Sequence, residues 1–179
     1  MTVRRATRAD ATAWRAIWNQ TVPGLALHWP IPGGVKTLTI TEVRTLIATP
    51  GFVARVYLDA TNTVHGILLT APKPIRPNRL AADESAAEEA RVLFPRPAIS
   101  AQLFDTVTRG LLADWFGNCQ ARAVPYCWGK FPRPGPPLMD GFFERMRVVN
   151  AAVADDEREP GFRFWIITPT QGLLGLTGI

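Results

Sequence analysis

"FVARVYLDATNTVHGILLTAP", residues 52–72, is the stretch that decides the fold. Every second residue from Phe52 to Leu58 is apolar, which is typical of a half-buried strand, and Thr63–Thr70 is apolar enough to lie inside a sheet. Between them, Asp59–Asn62 supplies the side chains that favour a turn. The stretch therefore predicts a β-hairpin, in which Gly66 marks a bulge or a close approach of another backbone.

Toward the N-terminus the pattern changes from strand to helix. Residues 3–7 form a short strand candidate, and Trp14, Ile17 and Trp18 follow at helical spacing in a predicted amphipathic helix over 8–19. A second, shorter helix precedes the hairpin and is stopped at 49–51. Each helix begins at a possible capping box, in Thr7 with Asp10 and in Thr39 with Glu42.

Beyond the hairpin, strands and helices continue to alternate. The acidic, alanine-rich stretch 82–90 predicts a short helical turn. The remaining elements are predicted strands at 91–94, 121–128 and 162–168 and a helix from Leu138 to Met146.

"PRPAISAQLFDTVTRGLLADW", residues 95–115, contains the pair Arg109–Gly110, which raises the question of a phosphate-binding turn. Large apolar residues recur every four positions from Ile99 to Trp115, so we expect one continuous helix over 99–116. Gly110 is then a helix-interior glycine, and its replacement by alanine is predicted to be neutral or mildly stabilising.

Three stretches resemble the GNAT superfamily, the GCN5-related N-acetyltransferases. "VRRATRADATAWRAIW" is similar to the family's opening strand and helix, "VARVYLDATNTVHGILLTA" to its central hairpin, and "GFFERMRVV" to its late helix. The resemblance implies an α+β fold with a mixed, mostly antiparallel sheet flanked by helices. It also implies an acetyl-CoA site at a loop patterned Arg-x-x-Gly-x-Gly or Ala, between a strand and the long helix.

The chain departs from the family at this loop. Aligning Arg109–Gly110 with the pattern places Leu112 and Asp114 where small residues belong. The junction would instead be "FPRPA", residues 94–98, which has no glycine and contains two prolines without N–H groups. If acyl-CoA binds, the resemblance places its contacts at Arg96, Ala98 and Ile99.

The family's proton donor also differs. Many members use a tyrosine of the late helix as general acid, and the matching position here is Phe143, while the family's closing Gly-Phe becomes Arg147–Val148. His28 and His65 are expected to be ordinary loop and strand residues, and no Ser-His-Asp order or Walker motif occurs. The sequence therefore predicts no catalytic residue and no bound cofactor, with acetyl-CoA as the alternative.

Composition limits the class of protein. With 47% hydrophobic and 20% charged residues over 179 positions, the chain is expected to fold as one domain over 1–168 with an apolar, glycine-rich tail over 169–179. Cys119 and Cys127 have no metal-ligand spacing and are expected to be free thiols. No apolar run is long enough for a membrane span, and the first residues lack a signal-peptide core, which predicts a cytoplasmic or virion protein.

Apolar residues outside the predicted core indicate protein contacts. The tail's glycines disfavour a stable helix, and its aliphatic side chains disfavour a solvated segment, so it should pack on its own domain or dock into a partner. The candidate contact residues are Trp29 and Trp128 in expected loops and Leu173, Leu174, Leu176 and Ile179 in the tail.

Three functional hypotheses follow. The first is a catalytically inactive GNAT-like domain used for protein contact, since the chain resembles degenerate GNAT-like virion proteins of short-tailed phages. The alternative is a divergent acetyl-CoA-dependent N-acyltransferase. The third is a nucleic-acid accessory protein that uses the basic loops 72–79 and 130–134, in keeping with a net charge of +5.

Overall fold

The structure, a computed structural model, describes residues 1–26, 37–72, 87–132, 152–155 and 162–177. The predicted helix from Leu138 to Met146 lies outside the described residues. Within them, the helices are α1 Ala11–Ala26, α2 Ile40–Ala48, α3 Ala101–Ala121 and α4 Pro169–Thr177, and a 3₁₀ turn, Arg8–Asp10, precedes α1. The strands are β1 Thr2–Arg5, β2 Val53–Leu58, β3 Val64–Pro72, β4 Ala87–Pro95, β5 Tyr126–Pro132, β6 Ala152–Asp155 and β7 Phe162–Ile167.

The strands form a hydrogen-bonded sheet in the order β1-β2-β3-β4-β5-β7-β6. β1 pairs antiparallel with β2, and β7 pairs antiparallel with both β5 and β6. β4 and β5 are parallel, in a register that runs from Ala87 opposite Tyr126 to Ala90 opposite Gly129. The predicted α+β architecture, a mixed and mostly antiparallel sheet flanked by helices, is confirmed.

Two compact units make up the chain. The first comprises Met1–Leu69 with Val92–Leu111, and the second comprises Thr70–Arg91 with Leu112–Ile179. The division into a domain over 1–168 and a tail over 169–179 stays a prediction.

Capping side chains start both helices before the hairpin, as predicted. The Asp10 carboxylate accepts the Thr7 N–H at 2.7 Å and both Arg4 Nη groups at 2.7 and 2.8 Å, and Arg4 holds the pKa of Asp10 below its usual value. At α2, the Thr39 N–H donates to Glu42 at 2.8 Å, and the Glu42 N–H donates back to the Thr39 hydroxyl at 3.2 Å. These reciprocal bonds satisfy donors that a helix start would otherwise leave without partners.

The core of the first unit lies between the hairpin and the two early helices. Trp14 and Trp18 stack with ring centroids 5.9 Å apart, and Trp18 also packs on Phe94. The side chains buried most completely in this cluster are Trp14, Val43, Val56 and Ile67. The hairpin and the buried faces of α1 and α2 are therefore as the apolar periodicity predicts.

The pair Arg109–Gly110 lies in the interior of α3, so the prediction of one continuous helix through it is confirmed. Arg109 forms an ion pair with Asp105, one turn earlier, at 2.6 Å. Leu112, which the family pattern would place at a phosphate, is 1% exposed. Arg109–Gly110 is not a phosphate-binding turn.

Gly110 nevertheless has a packing role that the sequence does not predict. A Cβ at this position would lie 2.5 and 2.9 Å from two ring carbons of Tyr57, which is itself buried. The clash should cost up to about 3 kcal/mol, and the better helix propensity of alanine returns about 1 kcal/mol. We expect Gly110→Ala to lower the free energy of unfolding by about 1–2 kcal/mol in urea denaturation, contrary to the neutral effect predicted above.

Gly117 provides the matched control on the same helix. A Cβ there has no atom within 4 Å, so Gly117→Ala should be neutral or stabilising. Equal effects of the two substitutions would show that the Tyr57 contact does not restrict position 110.

Aromatic rings fill the core of the second unit. Trp115 stacks on Phe116 with centroids 5.2 Å apart, and both rings meet Trp165 edge-on at 5.7 and 6.2 Å. α4 packs here, because a Cβ on Gly172 would lie 2.6 Å from the Phe116 ring. The prediction that glycines prevent a helix in the tail is wrong, since Gly172 gives the helix its close approach to the ring.

Other sequence predictions are also corrected. Ala87–Ala90 belongs to β4 and not to a helical turn, since it pairs with β5 and its first three residues are all buried. The strand predicted at 121–128 begins at Tyr126, since α3 continues through Ala121. β6 was not predicted, because its sequence, Ala-Val-Ala-Asp, is too short to show a period.

Candidate functional site

The junction between β4 and α3 is the position at which the resemblance places a cofactor. The Arg96 N–H donates to the His65 carbonyl at 2.7 Å, and Pro97 and Ala98 then form a turn. Ala98 has a φ of 61°, in the left-handed region that favours glycine. Ser100 caps α3, because its hydroxyl accepts the Leu103 N–H at 3.2 Å.

The junction offers few backbone donors to an anion. Pro95 and Pro97 have no N–H, and the N–H of Arg96 is already bonded to β3. The N–H groups from Ala98 to Gln102 remain, because the Leu103 N–H is bonded to the Ser100 hydroxyl. The Ala98 methyl group also occupies the position at which glycine would leave bare backbone. This donor set is smaller than the one that the resemblance implies for a pyrophosphate.

The three residues predicted to contact acyl-CoA lie together in this junction. The side chains of Arg96 and Ala98 are exposed, and that of Ile99 is half-buried. Arg96 is available as a single charge beside the start of α3. Whether these residues contact a cofactor stays a prediction.

The tyrosines do not provide an evident proton donor at the junction. Tyr57 is 4% exposed, its hydroxyl lies 3.1 Å from the Met1 Sδ, and burial raises its pKa. Its ring packs on Gly110, nine residues into α3 and therefore about 14 Å along the helix from the first turn. Tyr126, the first residue of β5, is half-buried. Phe143 and the neighbouring Arg147–Val148 lie outside the described residues.

His65 and Asp59 form a contact that resembles a catalytic dyad but closes the hairpin. His65 Nε2 lies 2.8 Å from Asp59 Oδ2, and the other oxygen of Asp59 accepts the Thr61 hydroxyl and the Thr61 and Thr63 N–H groups. The Thr61 hydroxyl, His65 and the Thr63 N–H lower the pKa of Asp59. His65 Nδ1 is buried, and no described residue contacts it with a polar atom. We interpret the pair as a structural contact that stabilises the β2–β3 turn. The other histidine, His28, lies outside the described residues.

The sequence did not reveal a buried polar cluster in the second unit. Glu88 is 2% exposed, accepts the Trp115 Nε1–H at 2.8 Å, and forms a very short ion pair with Arg122. Burial raises the pKa of Glu88, but hydrogen bonds from Arg122 and Thr70 outweigh it and the pKa lies below its usual value. Glu88 is thus a satisfied structural carboxylate and not a poised base.

The two cysteines contact each other beside this cluster. Both are free and fully buried, and the contact with Cys119, together with burial, raises the pKa of Cys127. The predicted free thiols are confirmed. Because the thiolate is the reactive form, the raised pKa disfavours reaction of Cys127 at neutral pH.

Two of the predicted partner-contact residues lie outside the described residues, namely Trp29 and Ile179. Trp128 is in β5 and 7% exposed, so the expected exposed loop position is wrong. In α4, Leu176 is buried and Leu173 is half-buried, whereas Leu174 is 61% exposed. Among the contact candidates that the structure describes, Leu174 is therefore the most exposed.

Three other classes of site concern basic loops, metal ligands and membrane-spanning helices. Most of the basic loops 72–79 and 130–134 lies outside the described residues. In the part of the chain that the structure describes, no three His, Cys, Asp or Glu side chains are grouped to hold a metal ion. Among the described helices, none has both the length and the apolar character needed to cross a bilayer.

Several solved structures of acetyltransferases are similar in fold to this chain. An N-acetyltransferase from Staphylococcus aureus Mu50 shares 13% identity over 94% of this chain and 98% of its own, with a TM-score of 0.68. A GNAT superfamily phosphinothricin acetyltransferase from Sinorhizobium meliloti, solved with AcCoA, shares 17% identity over 93% and 86%, with a TM-score of 0.64.

The ribosomal-protein-alanine N-acetyltransferase from Brucella melitensis shares 18% identity over 93% of this chain and 97% of its own, with a TM-score of 0.63. No protein-family model and no curated protein sequence matches the chain. At these identities the comparisons show the GNAT fold, as the sequence resemblance predicts, and fold alone does not carry activity.

Proposed function

We propose that this chain is a GNAT-fold domain that does not transfer acetyl groups and acts as a protein-contact component. The resemblance to degenerate GNAT-like proteins of short-tailed phages suggests a virion as its setting. The observation that carries the proposal is the composition and hydrogen bonding of the β4–α3 junction.

A pyrophosphate needs several backbone N–H groups that converge on it at the start of a helix. Here Pro95 and Pro97 have no N–H, and Arg96 donates its own to His65. The methyl group of Ala98 adds bulk where the pattern calls for bare backbone. These three features reduce the affinity for acetyl-CoA without affecting the fold, since β4 and α3 are both intact.

The position of Tyr57 supports the same conclusion. Its hydroxyl contacts Met1, its pKa is raised by burial, and it lies far along α3 from the junction. It therefore does not replace the general-acid tyrosine, whose position in this chain is occupied by Phe143. Leu174, exposed on α4, offers an apolar side chain for a protein contact.

One observation favours the alternative of a divergent N-acyltransferase. Ala98 adopts the left-handed conformation that glycine prefers, so the turn keeps a shape in which the following N–H groups are accessible. Arg96 would then contribute a charge to the phosphate. A binding experiment distinguishes the alternative from the proposal.

We expect millimolar coenzyme A to leave the melting temperature of the wild-type chain unchanged. A ligand present at 100 times its dissociation constant would stabilise the fold by about 2.7 kcal/mol, which a thermal scan detects readily. Desulfo-coenzyme A and a single-stranded oligonucleotide are titrated in parallel, and release of free thiol from acetyl-CoA is followed with a panel of amines.

A Pro97→Gly/Ala98→Gly variant tests whether the junction is responsible, since it restores one N–H donor and removes the methyl group. A shift in this variant alone would support the proposal. A rise in the melting temperature of the wild-type chain with both coenzyme A and desulfo-coenzyme A, reduced by Arg96→Gln, would refute the proposal and support the acyltransferase. A shift with the oligonucleotide alone would support the nucleic-acid hypothesis.

A further inference from the structure

An open groove of about 720 Å³ lies on the first unit, between the 3₁₀ turn and α2. Thr41, Arg44, Thr45 and Ala48 form one wall. Their spacing of three, four and seven residues places them on one face of α2, while the opposite face, around Val43, is buried in the core. The other wall comes from the 3₁₀ turn and carries Arg8.

The groove is cationic, and none of the described residues that line it is acidic. Within the described residues, Arg8 and Arg44 have no ion pair or hydrogen bond to a carboxylate, whereas Arg4, Arg109 and Arg122 are each paired. The acidic residues nearest to Arg8 and Arg44 in sequence form hydrogen bonds with other residues. Asp10 accepts from Arg4 and Thr7, and Glu42 accepts from Thr39. Two guanidinium groups therefore face the groove without intramolecular compensation.

We propose that this groove binds an acidic segment of a partner protein, with its carboxylates on Arg8 and Arg44. A guanidinium presents donors in a planar fork that matches a carboxylate, and such charge-assisted bonds are about twice as strong as neutral ones. The short side chains of Ala9, Ala48 and Pro50 leave room for a peptide backbone, and the hydroxyls of Thr41 and Thr45 can bond to it.

The two arginines of the groove favour an acidic peptide over a nucleic acid as its ligand. Sequence-independent binding to DNA depends on many phosphate contacts, on the order of 6–10, and the groove supplies two arginines. The small apolar side chains of its lining would contact the methylene groups of Glu or Asp residues. An acidic peptide is therefore the occupant that the lining favours.

The groove is separate from the β4–α3 junction. It reaches Pro50, just before β2 begins, whereas the junction bonds to His65 beside the hairpin turn that follows the end of β2. The two sites thus lie at opposite ends of β2, roughly 17 Å apart. The proposal rests on the protein-contact role proposed above, and does not depend on whether acetyl-CoA binds.

The test uses a fluorescein-labelled hexaglutamate peptide and the full-length chain, followed by fluorescence anisotropy at low and at physiological salt. Hexalysine and a single-stranded hexanucleotide are the comparison probes. The groove variant is Arg8→Gln/Arg44→Gln. The matched control is Arg5→Gln/Arg15→Gln, which removes the same charge from two exposed residues outside the lining.

We expect hexaglutamate to bind, to weaken as salt screens the charges, and to lose at least about tenfold in affinity in the groove variant against less than about twofold in the control. Hexalysine should not bind. Absence of hexaglutamate binding, or an equal loss in both variants, would overturn the proposal. Tighter binding of the hexanucleotide through the same arginines would overturn the choice of partner. A coenzyme A shift would refute the proposed loss of acetyl transfer and leave this result unaffected.

Discussion

Replacing Gly66 by alanine is expected to lower the free energy of unfolding by about 3 kcal/mol. The new Cβ would lie 2.3 Å from Val107 Cγ1 and 3.1 Å from Leu111 Cδ1, with the Phe94 carbonyl oxygen at 3.6 Å. Val107 and Leu111 are fully buried, and a helical valine has essentially one χ1 rotamer, so neither can move aside without displacing α3 from the sheet. Urea denaturation measures the loss as a lower midpoint at an unchanged slope.

A double-mutant cycle with Val107→Ala tests the cause. The Val107→Ala substitution removes the atom that clashes and creates a small cavity of its own. In the double variant the alanine at 66 should partly fill that cavity, so its loss of stability should be smaller than the sum of the two single losses by about 1 kcal/mol or more. Additive losses would show that Gly66 is required for a reason other than the approach of α3.

The elements that were predicted correctly are those whose signal is local. The alternation from Phe52 to Leu58, the two capping boxes and the four-residue period through Gly110 each depend on neighbouring side chains, and the structure confirms all of them. At Gly66 the sequence predicted a bulge or a close approach of another backbone, but the nearest atoms belong to the Val107 and Leu111 side chains. Val107 lies in a different element and was not identifiable from the local sequence.

The tail also contains a local sequence signal for the start of a helix. Thr168-Pro169-Thr170-Gln171 is a capping box with proline at the first helical position, and the Gln171 side chain accepts the Thr168 N–H at 3.2 Å. Counting glycines alone gave the wrong prediction. Gly172 serves close packing on Phe116, a contact that only the folded chain reveals.

The candidate sites depend on contacts that are distant in sequence, which explains why they were predicted less well. Glu88 lies in an acidic, alanine-rich stretch that reads as a solvated helical turn, but its partners Trp115 and Arg122 follow 27 and 34 residues later. The groove joins Arg8 to Arg44 across two elements. At the junction, by contrast, the prolines were visible in the sequence, and the structure added the Arg96–His65 hydrogen bond, the Ser100 cap and the backbone conformation of Ala98.

Replacing Arg122 by methionine is expected to lower the free energy of unfolding by about 3 kcal/mol at neutral pH, because it leaves the buried Glu88 carboxylate without its countercharge. We take the lower end of the range for a broken buried pair, since the Arg122 side chain is 48% exposed and Glu88 2%. In the wild type the pKa of Glu88 is lowered on folding. Its contribution to stability is therefore present above the unfolded pKa, about 4.3, and is lost as pH falls through the folded pKa.

In the Arg122→Met variant the sign of this pH dependence should reverse. Burial, which raises the pKa of Glu88 and is offset by Arg122 in the wild type, would dominate, and the folded state would bind the proton more tightly than the unfolded state. Stability should then be highest below about pH 4 and decline as pH rises through the raised pKa. The matched control is Glu88→Gln/Arg122→Met. The amide at position 88 of this control can still accept the Trp115 N–H but does not titrate, so position 88 should no longer make stability depend on pH. Urea denaturation of both variants between about pH 4 and pH 7 measures the difference, and parallel curves would show that the Glu88 carboxylate is not what Arg122 stabilises.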